Sequence, residues 1–418
     1  MKRLTGGAWG VCGGASLAGN AQVGGARLSL LAMIPATLLA ATPSSLEGIR
    51  PSKEIEGLVT WLRTLGAIVR WEGDRLSIDP RPVGRGPLGL GVWDGGTDYR
   101  MSVMIGRQYP FWDWTEVPTV DTGLLALRRY QEVLGVMRRR GSDLPRSIDD
   151  TVPPGRRVVH MDAGTLEGTV QLMLASVRMP GQTIIEWAAR DPEVVDIATF
   201  LISMGAHIKG AGTDTIRVEG VSGLHGCRHT PIPDRFEASI YLLAAAVTAG
   251  SLWVDPVIVK HVSALLAKLQ EAGVHVQEVD EGVKVSAPSM CQAVDLKPYP
   301  YPGLSPDVLP LFAPFLVRAC GTSILTDVNS VTGSVYHFLG AVGANVRMEG
   351  RTAIIQGGNP LLGGGQWVVD EGSTAAAVLL AAMAIPGETN IRGGNVLTYC
   401  YPQIVSQFVR LGAQISIL

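Results

Sequence analysis

Two tryptophans flank a carboxylate in the segment Pro110-Phe111-Trp112-Asp113-Trp114-Thr115-Glu116. Indole faces on either side of Asp113 would strip water from its carboxyl group, and desolvation raises the pKa of a carboxylic acid. Such a loop can act as a lid that presents an acid, Asp113 or Glu116, while the rings of Trp112 and Trp114 stack on a flat substrate or stabilise a cationic intermediate. The same residues also read as a loop that packs its tryptophans onto its own domain. Other clusters carry less chemistry. Cys227-Arg228-His229 offers two ligand types but no third or fourth partner nearby. The seven histidines show no catalytic spacing. The glycines of 84–91 and Gly363-Gly364-Gly365 follow neither Rossmann nor P-loop spacing and read as hairpin turns. No metal site or cofactor is therefore expected.

These residues must be positioned by a large folded framework. At 418 residues, with 46% hydrophobic and 17% charged residues, the chain can bury two or three cores. A formal net charge of −2 supplies no broad basic field, so neither nucleic acid nor a membrane surface is an expected partner. Cys12, Cys227, Cys291, Cys320 and Cys400 are scattered and form no CxxC pair, which fits a reducing, cytoplasmic setting. The stretch 1–19 is Gly-rich with no continuous apolar core, so no signal peptide is expected. The apolar runs 27–41 and 374–386 fall short of the ~20 residues that a membrane span needs, and read as buried helices.

An internal repeat organises the whole chain. An apolar helix, a Gly and a short β-branched strand recur at Gly66, Gly135, Gly205, Gly273, Gly343 and Gly412, every 68 to 70 residues. In the first copy Ser52 can cap a helix whose face is Ile55, Leu58, Leu62 and Leu65. In the third, Asp191 caps, Pro192 takes the first helical position, and Val194, Ile197, Leu201 and Met204 form the stripe. A second helix-turn-strand recurs at 172–186, 242–254, 311–326 and 376–391, and an early copy at 34–49 turns through Pro43-Ser44-Ser45. The unit around 100–140 departs from the pattern. Helices apolar all round, such as Leu242 to Val247, suit burial inside a globular domain. A solenoid, or two domains of three units with helices inside and sheets outside, both satisfy the period.

Four segments decide between them: 212–250 with its PDRxEA motif, 184–206, 298–307 (PYPYPGLSPD) and 347–355. Together they closely resemble the UDP-N-acetylglucosamine enolpyruvyl transferases, and the likeness extends weakly to both ends. The resemblance implies a two-domain inside-out α/β barrel with six repeated α/β units of about 70 residues, three per domain. The first domain would be 23–232 and the second 1–22 together with 233–418, with the active site in the inter-domain cleft.

In that family a sugar-nucleotide hydroxyl attacks phosphoenolpyruvate, a carboxylate removes the hydroxyl proton, and a loop Cys supplies an acid. By resemblance, Asp307 falls at the hydroxyl-activating carboxylate and Asp370 at a second cleft carboxylate. Arg27 stands where the family has a cleft lysine, and Arg100 falls on a family arginine. Asp234, Arg235 and Glu237 keep the crossing motif. Other positions depart. Leu28 replaces the family's Asn, the loop Cys is missing, and the loop arginine aligns near Pro118. Asp370-Glu371-Gly372 lacks the arginine of the family's Asp-Leu-Arg, and Tyr399 stands at another arginine. The nucleotide-binding lysine aligns near Ala163. Each lost charge-assisted pair removes about 1.5–3 kcal/mol of anion binding. Arg107 or Arg128 could fill in.

The expected catalytic residues are thus Asp307, Asp370, Asp113 and Glu116, and the expected substrate-binding residues Arg27, Arg100, Trp112, Trp114, Asp121, Tyr399 and Glu371. Asp307 and Asp370 also read as helix caps, Asp370 for a helix over 373–385. The leading expectation is an enzyme of specialised metabolism repurposed for acid/base chemistry on a less anionic small molecule, aromatic or apolar. The first alternative is carboxyvinyl transfer from phosphoenolpyruvate to a nucleoside or sugar nucleotide, with phosphoenolpyruvate a partner only in that case. The second is a non-catalytic binding protein.

Overall fold

A computed structural model describes residues 7–83, 155–326, 328 and 333–418. Its contacts divide the chain into two compact units, Met1–Gly24 with Pro233–Leu418, and Gly25–Ile232. The chain passes from one to the other between residues 24 and 25 and again between 232 and 233.

In the unit containing the C-terminus, the helices Arg235–Val247, Leu309–Leu316 and Gly372–Ala384 pack on one another. They are apolar on every side and buried on nearly every side. Burying a Leu such as Leu242 or Leu379 contributes roughly 1.5–3 kcal/mol, and these helices carry no polar face to oppose it. Three sheets belong to the same unit. Ala8–Gly13 lies between Gly387–Arg392 and Gln414–Ile417, antiparallel to both, with Ala8 opposite Arg392 and Trp9 opposite Ile417. Ala18–Gln22 runs parallel to Ser251–Asp255, which continues into the hairpin Gly282–Ser286 and His275–Val279. Thr322–Leu325, Thr352–Gln356 and Asn345–Glu349 make the third. The outer helix Val259–Glu271 buries only the stripe Val262, Leu265, Leu266 and Leu269, as a helix with one wet face must.

The other unit repeats the plan. Arg27–Ala36 and Leu166–Ser176 are its buried helices. One sheet orders Arg228–His229, Ser44–Leu46, Arg75–Asp79 and Ile68–Glu72. A second orders Gly155–His160, Gly181–Glu186, Thr215–Glu219 and His207–Lys209. Helices inside and sheets outside exclude the solenoid, and the apolar runs at 27–41 and 374–386 are buried helices as expected. No helix among the described residues is long and apolar enough to cross a membrane.

The local signals hold at the start of Lys53–Thr64 and at the repeat glycines Gly66, Gly205, Gly273, Gly343 and Gly412, all at positive φ. The Ser52 hydroxyl accepts the Ile55 N–H at 3.2 Å at the start of Lys53–Thr64. Gly66 closes that helix at φ +96°, a left-handed backbone that a Cβ would strain. Two readings need correction. Asp191 occupies the N-cap position of Pro192–Ser203, but its side chain makes no capping hydrogen bond. Gly363-Gly364-Gly365 is no hairpin: it leads from Thr352–Gln356 in one sheet to Gln366–Val368 in another, which runs parallel to Gly387–Arg392.

Candidate functional site

The crossing motif folds into a helix start whose acids already have work. The Asp234 carboxylate accepts the N–H groups of Phe236 and Glu237, each at 2.9 Å, and caps Arg235–Val247. Its second oxygen accepts the Tyr401 hydroxyl at 3.4 Å. Glu237 is buried; it accepts the Gly24 N–H at 2.8 Å and the Tyr241 hydroxyl at 3.4 Å. The Arg235 guanidinium stands 5.5 Å from the centre of the Tyr301 ring. Satisfied this fully, Asp234 and Glu237 hold the backbone at the crossing.

Asp307 lies on a turn before Leu309–Leu316, whose N-cap is Val308 with no side-chain cap. Asp307 itself is exposed. The loop beneath it is braced by hydrogen bonds from Tyr299 N–H to Leu304 O at 3.0 Å and from Gly303 N–H to Pro300 O at 2.9 Å. A Cβ at Gly303 would lie 2.5 Å from that of Tyr299, so this close approach requires glycine. The Asp307 N–H donates to Ser305 Oγ at 3.4 Å. A carboxylate on a braced loop can take a proton from a substrate hydroxyl without first reorganising.

Asp370 is also exposed, and it is not the cap of the helix that follows. Glu371 caps Gly372–Ala384: it accepts Ser373 N–H at 2.8 Å and Thr374 N–H at 2.7 Å, and the Ser373 hydroxyl reaches both of its oxygens. The role the geometry gives Glu371 is thus at the helix end. Tyr399 is half-buried on Asn395–Cys400. At the opposite ends of the three core helices, a cavity of about 240 Å³ is lined by Thr248, Arg318, Asn359 and Met383 among others. The Arg318 guanidinium donates to the Val247 carbonyl, a favourable place for a cation at a helix C-terminus, though burial lowers its pKa. None of the expected site residues lines this cavity.

In the other unit Arg27 opens Arg27–Ala36 and grips Glu54 with two hydrogen bonds, Nε to Oε2 at 2.6 Å and Nη2 to Oε1 at 2.7 Å. The Glu54 side chain is 1% exposed and that of Arg27 23%. A bidentate pair of this kind is short, planar and strongly oriented. Sequence reasoning missed it because 27 residues separate the partners and Glu54 reads as an ordinary first-turn acid. It also missed the His229–Asp196 contact at 2.8 Å, which fixes His229 of the Cys227-Arg228-His229 cluster. Burial pushes the Cys227 thiol up to about 11. Among the described residues no three His, Cys, Asp or Glu side chains gather as a metal site. Arg100, Arg107, Trp112, Asp113, Trp114, Glu116, Asp121 and Arg128 lie outside the described residues.

The family model for EPSP synthase (3-phosphoshikimate 1-carboxyvinyltransferase) matches residues 139–408. The chain belongs to this family of enolpyruvyl transferases. It is 36% identical over 416 residues to UDP-N-acetylglucosamine 1-carboxyvinyltransferase 2 of Geobacillus kaustophilus (strain HTA426), covering 97% of this chain and 95% of that one. The enzyme of the same name from Listeria monocytogenes serotype 4b (strain F2365) is 34% identical, covering 97% and 96%. The enolpyruvyl transferase NikO from Streptomyces tendae shares the fold at a TM-score of 0.83 and 22% identity, with 99% of both chains covered. EPSP synthase from Acinetobacter baumannii shares it at 0.72 and 14%, covering 99% and 100%.

Proposed function

We propose that this chain is a family enzyme that performs acid/base chemistry on a hydroxyl-bearing small molecule less anionic than the substrates of its curated relatives. Asp307 is the base that takes the hydroxyl proton, and Asp370 an acid partner. Asp113 or Glu116 is the acid that returns a proton, with Trp112 and Trp114 against the substrate and Arg100, Asp121 and Tyr399 as further contacts. One observation carries this reading. Arg27 stands at a family cation position, and its charge is already matched by buried Glu54. Phosphoenolpyruvate bears about three negative charges, and a charge of that density needs uncompensated cations to offset its desolvation. Leu28, Ala163, Gly372 and Tyr399 are uncharged where the resemblance expects polar or cationic contacts.

A second reading is favoured by the 36% identity to a carboxyvinyltransferase along 97% of this chain. It is carboxyvinyl transfer from phosphoenolpyruvate to a hydroxyl of a nucleoside or sugar nucleotide, with release of phosphate. Calorimetry with phosphoenolpyruvate separates the two. No detectable heat up to millimolar concentration supports the first. Tight binding together with phosphate release in the presence of an acceptor establishes the second. Full activity of both Asp307→Asn and Asp113→Asn on the true substrate would end the acid/base assignment.

A further inference from the structure

The cavity beside Arg318 lies wholly within the unit that holds the C-terminus. It opens where three core helices end. Thr248 follows Arg235–Val247, Arg318 stands two residues past Leu309–Leu316, and Ile385 follows Gly372–Ala384. Asp307 and Asp370 precede the other ends of two of these helices, so the cavity is a different place from the candidate site. Thr248, Met383 and Ile385 are buried at its floor, while Gly14, Asn359 and Pro386 at its rim are exposed. The walls are tied by the main chain. Gly14 N–H donates to Met383 O at 2.9 Å, Gly250 N–H to Ala245 O at 2.8 Å, and Gly358 N–H to Val317 O at 3.1 Å. A Cβ at Gly13 would sit 2.1 Å from the carbonyl oxygens of Ala382 and Ile385.

Capping a helix end uses little of Arg318. A guanidinium carries five N–H donors. Among the described residues the acceptor that the Arg318 side chain meets is the Val247 carbonyl. Among the same residues no Asp or Glu lines the cavity or pairs with Arg318. Burial lowers its pKa, yet a guanidinium stays charged in a protein. A half-buried positive charge without a counter-ion is costly, and an anion entering the cavity would offset that cost through a short bidentate pair. The cavity also selects the anion. Its volume of about 240 Å³ falls below the usual range of about 300–1,000 Å³ for drug-sized ligands, so the guest is small. Helix C-termini carry partial negative charge, which disfavours a dense dianion such as phosphate and admits a single delocalised charge. We propose that this cavity is a binding site for a small organic monocarboxylate, its carboxylate held by the Arg318 fork and its apolar part against Leu361, Met383 and Ile385. The site is independent of the acid/base reading, and either can fail without the other.

Ligand-observed NMR titration of the full chain with butyrate, benzoate and inorganic phosphate tests it. Wild type should bind butyrate or benzoate saturably in the millimolar range or tighter, and phosphate more weakly. Arg318→Gln keeps a donor for the Val247 carbonyl and should bind that carboxylate about tenfold or more weakly, the consequence of losing a charge-assisted pair. Ala15→Glu places a carboxylate of the chain's own at the cavity wall and should bind as weakly. Ala15→Gln, alike in size and uncharged, should bind as wild type does. These two variants decide the matter if Arg318→Gln does not fold. Absence of saturable carboxylate binding, equal binding by wild type and Arg318→Gln, or equal binding by the two Ala15 variants overturns the site. Phosphate bound more tightly than both carboxylates, with that binding lost in Arg318→Gln, overturns the monocarboxylate assignment.

Discussion

Replacing Glu54 by Gln changes little in volume and removes the charge that Arg27 grips through both of its hydrogen bonds. Breaking a buried pair by removing one partner costs about 3–5 kcal/mol, because the remaining charge stays uncompensated. Arg27 keeps 23% exposure, so water recovers part of this and the lower figure of about 3 kcal/mol applies. In a unit of about 200 residues each kcal/mol moves the melting midpoint by about 2–4 °C, so Glu54→Gln should lower that unit's transition by about 6–12 °C. The double variant Arg27→Leu with Glu54→Leu should melt well above the sum of its single variants, since no orphaned charge remains. Differential scanning calorimetry reads all of these. Glu54→Gln should also tighten phosphoenolpyruvate binding by about tenfold, as Arg27 regains a charge-assisted hydrogen bond for the anion. A midpoint for Glu54→Gln within 1 °C of wild type by roughly the experimental error, or strict additivity in the double variant, would refute the pairing argument.

Four further outcomes follow from particular side chains. Asp307→Asn should melt within about 0.5 kcal/mol of wild type, being exposed, yet lose about 10²–10⁴-fold in turnover of the true substrate. Glu371→Ala should cost about 1 kcal/mol in thermal unfolding through loss of the Gly372–Ala384 cap, whereas Asp370→Asn should leave stability unchanged. Gly220→Ala should disrupt folding of its unit, measured as loss of the cooperative transition, because the new Cβ would lie 1.7 Å from the Met179 carbonyl oxygen. The Cys227 thiol is pushed from its ordinary value near 9 to about 11 by burial. The folded chain therefore holds a proton that the unfolded chain releases between those values, and stability should fall as pH rises through that window. Cys227→Ala should flatten the fall, and mass spectrometry after mild alkylation at pH 8 should find exposed Cys12 modified before Cys227.

The repeat, the helix ends and the choice of inner helices could be read from the chain because each depends on near neighbours. Apolar residues spaced as at Ile55, Leu58 and Leu62 make a stripe whatever lies across from it. A run such as Leu242 to Val247 has no face fit for water, so its burial is settled before any partner is known. The glycine of the repeat closes its helix because the turn itself demands a left-handed residue. Even the crossing motif around Asp234 caps within three residues of itself.

What needed the tertiary structure is whatever depends on atoms distant in the chain. Neighbouring acids at 370 and 371 look alike in sequence, and only the approach of the Ser373 and Thr374 N–H groups selects Glu371 as the cap. Arg27 could be counted as a cation from its type alone, but its available charge depends on Glu54 arriving from another helix. Trp187, 63% exposed on a backbone at φ +62°, is flanked by hydrogen bonds from Met161 N–H to Glu186 O and from Ala188 N–H to Asp214 O, partners distant in the chain. Charge balance and side-chain direction are set by long-range approach, and for that reason the sequence shows the fold of this member of the enolpyruvyl transferase family more fully than its chemistry.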